Sequence, residues 1–92
     1  MAKPRNAKIT SYNAVQLDGA AETVNSVAIT VYLANKNGDI LLCDGTTIPT
    51  DTSSGYAKGC IFNKTDVATG TGGTYLNKGT NTSSAFTLAT QA

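Results

Sequence analysis

The chain has no His and no Trp, and only two Pro, two Cys and two Phe among its 92 residues. Without His, a Ser–His–Asp relay cannot be built, and a Cys nucleophile loses its usual base. Two Cys without His fall short of the four ligands of a structural zinc site, so neither a metal nor another cofactor is expected. Charged residues make up 14% of the chain, against about 25% in an average domain. The net charge of +1 gives no field that steers a protein to nucleic acid or to an acidic membrane, so neither is an expected partner. No apolar run approaches the ~20 residues that cross a bilayer. The opening MAKPRNAK lacks the apolar stretch of a signal sequence. Synthesis in a reducing compartment is therefore expected, with Cys43 and Cys60 as two free buried thiols. A disulfide between them is the alternative.

What remains is a small amount of apolar material. Hydrophobic residues are 40% and aromatics 7%. A single domain of this length buries a modest fraction of its surface, so a partner subunit is the natural source of further burial. Thr, Ser, Asn and Gly dress the surface in place of charge.

Along the chain, residues 1–8 form a basic lead in which Lys3, Arg5 and Lys8 precede any acid and Pro4 blocks a regular start. Residues 9–17 read as extended, with Ile9, Val15 and Leu17 as anchors. Together they predict an arm, residues 1–17, that lies on a neighbouring protein through Lys3, Pro4, Arg5, Lys8 and Ile9. Asp18-Gly19 marks a turn. Residues 20–24 carry helix-forming side chains but are too few for a stable helix.

Residues 26–34 hold the cleanest period of two. Val27, Ile29, Val31 and Leu33 alternate with Ala28, Thr30 and Tyr32, which predicts a half-buried strand. Asn37-Gly38 then turns the chain into a return strand over 40–43. Asp44-Gly45 is a second turn signal. Pro49 excludes a central strand from 46–54. Further strands are expected over 60–65, 74–78 and 83–89, joined by Gly- and Thr-rich connections. The expected core is Val27, Ile29, Val31, Leu33, Ile61, Phe62, Leu76, Phe86 and Leu88. The fold class is all-β: a small sandwich or barrel-like meander of short antiparallel strands over residues 18–92, with an extended N-terminal arm. Such strands leave open edges, and few charges are present to blunt them.

Residues that could carry chemistry are sparse. Lys58 and Cys60 share a face only if the strand continues through them. Asp18, Glu22, Asp39, Asp44, Asp51 and Asp66 sit beside turn residues, where a carboxylate bonds its own backbone. Tyr12, Tyr32, Tyr56 and Tyr75 either line a sugar-binding face or pack inward with the hydroxyl at the rim; the second is the expectation.

One further pattern is present. Gly55-Tyr56-Ala57, Gly59-Cys60-Ile61-Phe62, Thr65-Asp66, Tyr75-Leu76-Asn77-Lys78-Gly79-Thr80 and Ser83-Ser84-Ala85-Phe86 follow one another in order. Over about half the chain, this resembles a group of small structural proteins of tailed bacteriophages: head decoration, cement or head-fibre proteins. The resemblance implies a non-enzymatic virion protein, made in the host cytoplasm and assembled on the capsid's outer surface. It implies self-association, often as a homotrimer, and contact with the major capsid protein. A glycan- or receptor-binding module of a head or tail fibre is the alternative.

Overall fold

The computed structural model describes residues 17–89, which form six strands in one mixed sheet with no helix among them. Strands β1 (Ala20–Val24), β2 (Val27–Ala34), β3 (Ile40–Gly45), β4 (Tyr56–Lys64), β5 (Thr74–Asn77) and β6 (Phe86–Leu88) follow chain order across it. The all-β expectation holds. Within that class the strands make one open sheet whose edges are β1 and β6. The pairs are antiparallel except β3–β4, which is parallel and departs from the all-antiparallel expectation. The arm residues Lys3, Pro4, Arg5, Lys8 and Ile9 lie outside the described residues.

The first hairpin arises where sequence propensity is ambiguous. Ala20–Val24 pairs residue for residue with Val27–Val31. Asn25 and Ser26 connect them with φ of 50° and 70°. Positive φ at both central residues is the type I′ geometry, whose twist matches the flanking strands. The second hairpin follows the Asn-Gly reading. Asn35 Oδ1 accepts hydrogen bonds from the backbone N–H of Asn37 at 2.9 Å and of Asp39 at 3.0 Å, which closes the turn.

The parallel pair is joined by residues 46–55. Parallel strands ordinarily need a crossover of ~12 residues or more, often a helix. Here the short crossover stays irregular and its polar groups are tied down one by one. Ser53 N–H donates to Ser84 Oγ at 3.1 Å, and Ser84 Oγ donates to Thr50 O at 3.0 Å. Thr52 N–H donates to Ser84 O, and Ser84 N–H returns a bond to Ser53 O. Asn25 Nδ2 reaches Ser53 Oγ from the β1–β2 turn at 3.2 Å. Ser53 and Ser84 are therefore buried without an unsatisfied oxygen.

Asp44-Gly45, expected as a turn, instead ends β3 and pairs with Asn63 and Lys64. The glycine serves packing here. A Cβ at Gly45 would stand 3.1 Å from Ala28 O and 3.5 Å from the Phe62 ring. Residues 56–58 likewise join β4 rather than forming a separate piece. Ile40 pairs with Tyr56 and Leu42 with Ile61, so β4 carries a wide bulge between those positions. Gly59, at φ 80°, makes the reversal that lets the strand resume.

The core is built on one face of the sheet. Its inner row runs Ala20, Val31, Cys43, Phe62, Tyr75 and Leu88, each opposite the next. Val27, Ile29, Ile40, Cys43, Tyr56, Cys60 and Phe62 form the buried cluster, with Val31, Tyr75 and Phe86 packed against it. Of the expected core, Val27, Ile29 and Phe62 are buried, and Val31, Leu76 and Phe86 are half-buried. Three residues correct that expectation: Leu33 is 47% exposed, Ile61 40% and Leu88 39%. A register shift between Val31 and Leu33 breaks the period of two and turns Leu33 outward. Ile61 and Phe62 are neighbours on one strand and cannot face the same way. Leu88 lies on the inner side, but at the edge, where no further strand among the described residues covers it.

Tyr56 stands at the centre of the cluster with no exposed surface, its ring edge-on to Phe86 at 5.0 Å. Its hydroxyl has no hydrogen-bond partner among the described residues, and burial pushes the phenol well above its ordinary pKa. An unpaired buried hydroxyl costs about 1–3 kcal/mol. Tyr56→Phe is therefore expected to stabilise the fold by about 1 kcal/mol, read as a higher denaturant midpoint at unchanged m-value.

Candidate functional site

Cys43 and Cys60 are both free and fully buried, side by side on the parallel pair. The neighbouring Cys60 thiol and burial together raise the Cys43 pKa. Cys60 donates to Ile61 O at 3.8 Å. Both therefore behave as small core hydrophobes. Lys58 is exposed while Cys60 is buried, so the two do not meet as base and nucleophile. Asp66 pairs with Lys64 on the surface, and that bond holds its carboxyl below the usual range.

The tyrosines do not form a platform. Tyr56 is in the core, and Tyr75 packs its half-buried ring against Phe62 at 6.2 Å. Tyr32 donates its hydroxyl to Asp44 Oδ2 at 3.0 Å. That bond to a carboxylate raises the phenol's pKa. Tyr12 lies outside the described residues.

Two surface features remain. The first is the outer face of the sheet. Leu33 pairs with Leu42, Leu42 with Ile61 and Ile61 with Leu76, so four branched aliphatic side chains stand in one row across β2, β3, β4 and β5. At ~4.8 Å between strands, the row is about 14 Å long. Leu33 and Ile61 are exposed, and Leu42 and Leu76 half-buried. The parallel row beside it is polar: Thr30, Asp44, Asn63 and Thr74.

The second feature is a groove of about 450 Å³ at one end of the sheet, where two chain reversals and the β4 bulge converge. Asn35 and Asp39 come from the β2–β3 turn, Lys58 from the β4 bulge, and Thr80 and Asn81 from the β5–β6 connection. Leu41 and Ala57 supply its apolar surface. The walls are fixed to one another. Asn81 Nδ2 donates to Asp39 Oδ2 at 3.1 Å, and Gly55 N–H donates to Asn81 O at 2.9 Å.

Beneath the groove lies Asn77, buried at 2% exposure. Its Nδ2 donates to Ala57 O at 2.9 Å, Tyr56 O at 3.3 Å and Thr80 O at 3.4 Å. Its Oδ1 accepts from the N–H of Gly79 and of Ala85, both at 2.9 Å. One amide thus joins the β4 bulge to the β5–β6 connection. Sequence reasoning missed this residue, because a lone Asn beside a Gly-rich turn reads as a turn former. Asn35, Asp39, Asn81 and Leu41 were missed as a group because they come from separate segments.

Compared with protein-family models, with curated proteins and with solved structures, the chain matches none.

Proposed function

We propose that the chain is a non-enzymatic structural protein of a tailed-phage virion that decorates and cements the capsid, bridging neighbouring capsid subunits from the outer surface. The observation that carries this reading is the outer aliphatic row Leu33, Leu42, Ile61 and Leu76, flanked by the polar row Thr30, Asp44, Asn63 and Thr74 on an open sheet. An apolar strip on an exposed face is a docking surface by its chemistry. The edges β1 and β6, which pair with no further strand among the described residues, add main-chain donors and acceptors for a strand from a copy or from the shell. The phage-like pattern adds weight. Tyr56, Cys60, Phe62 and Asn77 in that pattern are buried and therefore specify the fold itself.

The test is the double substitution Leu33→Ser with Ile61→Ser. Both positions are exposed, so stability is expected to change by no more than about 1 kcal/mol in total. Occupancy on purified heads and the native oligomer mass are expected to fall together, by about tenfold or more in affinity. Wild-type occupancy and mass in a folded variant would sink the reading.

A second reading, a glycan- or receptor-binding module of a head or tail fibre, is favoured by the groove at the turn end of the sheet.

A further inference from the structure

We infer that the groove between Asn35, Asp39, Leu41, Lys58, Thr80 and Asn81 is a binding site for a neutral saccharide. This rests on the glycan-binding reading and is independent of how the chain docks on a capsid.

The inference follows from what the walls offer. Asn35 Oδ1 is committed to its own turn, which aims the rest of its amide outward. Asp39 Oδ2 is held by Asn81 Nδ2, which fixes both side chains relative to each other. Asn35 Nδ2, Asp39 Oδ1, Asn81 Oδ1 and Lys58 Nζ make no hydrogen bond among the described residues. The groove therefore presents the anchored Asn35, Asp39 and Asn81 groups beside the mobile Lys58 ammonium within one small volume. Vicinal hydroxyls, each both donor and acceptor, match that mixture of donors and acceptors.

Charge narrows the class. Asp39 and Lys58 balance, so the groove has no net charge to draw in a strongly anionic or a strongly cationic ligand. A neutral ligand needs no such charge. Leu41 and Ala57 give a small apolar surface for the C–H face of a sugar ring. A volume of about 450 Å³ falls within the usual range for small-molecule sites. The frame is also pre-organised. The Asn77 amide fixes the Ala57 and Thr80 carbonyls from below, so little ordering remains to be done on binding.

The experiment is a two-dimensional ¹⁵N–¹H titration of the whole chain with methyl glycosides of glucose, galactose, mannose, rhamnose and N-acetylglucosamine. At least one glycoside is expected to give saturable shifts centred on the amides of Asn35, Asp39, Lys58, Thr80 and Asn81. Asp39→Asn keeps an acceptor for Asn81 Nδ2 and the shape of the turn, but replaces the outward acceptor with a donor. It is expected to weaken that glycoside by about tenfold, with the remaining spectrum unchanged. Silence across the panel overturns the inference. So do shifts centred elsewhere on the chain, which would leave the glycan-binding reading standing on another surface. Equal affinity in the Asp39→Asn protein, or shifts at these amides with a Gly-Ser peptide but with no glycoside, would also overturn it.

Discussion

Asn77→Leu is expected to cost roughly 3–5 kcal/mol, measured by urea or thermal unfolding. The side chains are close in volume, so the loss is one of hydrogen bonds. Gly79 N–H and Ala85 N–H lose their acceptor, and the Ala57 and Tyr56 carbonyls lose their donor. Each buried group left unpaired costs about 1–3 kcal/mol. A domain has only about 5–15 kcal/mol in total, so this variant is expected to be partly unfolded at physiological temperature. Asn77→Asp separates the donor from the acceptor role. The introduced carboxylate still accepts from Gly79 and Ala85, but its second oxygen faces carbonyl oxygens. Burial then raises its folded-state pKa above the unfolded value of ~3.9. The folded state binds the extra proton, so the variant is most stable below that unfolded value. Its stability falls as pH rises through the folded-state pKa. A flat stability profile between acid and neutral pH would show that the donor role is dispensable.

Phe62→Ala is expected to cost about 3–5 kcal/mol. The ring has no exposed surface and sits mid-row between Cys43 and Tyr75. It meets Tyr75 and Phe86, each at 6.2 Å between ring centres. The upper part of the range applies, because the chain has only two Phe and no Trp, so little else can collapse into the void. Gly45 opposite the ring offers no side chain to fill it. The neighbouring Ile61→Ala is the control. It lies on the outer face at 40% exposure and is expected to cost about 1 kcal/mol or less. Equal losses at the two positions would mean that the outer face is covered in the isolated protein.

The β2–β3 hairpin was legible from residues alone. Period two over β2 and the Asn-Gly pair carry their own geometry, and Asn35, Asn37 and Gly38 form that turn. The last two strands and their Gly-rich connections were legible for the same local reason. β1 was not, because its side chains favour helix and only a partner strand decides otherwise. Ile61 was misplaced because it neighbours Phe62 on one strand and must take the other face, and Leu33 for a reason that lies in the pairing. A strand pattern gives alternation, and bulges at the pairing with the next strand decide where the alternation slips. Asp44-Gly45 imitates a turn, and only the Phe62 ring and the Ala28 carbonyl beside it explain the glycine. The groove was invisible, since its residues come from two connections, the start of β3 and the β4 bulge, which the chain order keeps apart.

By itself, the sequence determined an all-β chain with little charge, no His-based chemistry and a small aromatic core. Composition and short-range periodicity set those properties, and both are local. The tertiary structure alone decided that β3 and β4 run parallel, that one buried amide ties bulge to turn, and that an aliphatic row faces outward. Each of these depends on which distant backbone groups meet, and a pairing between strands is chosen by burial and hydrogen bonding summed over the whole sheet.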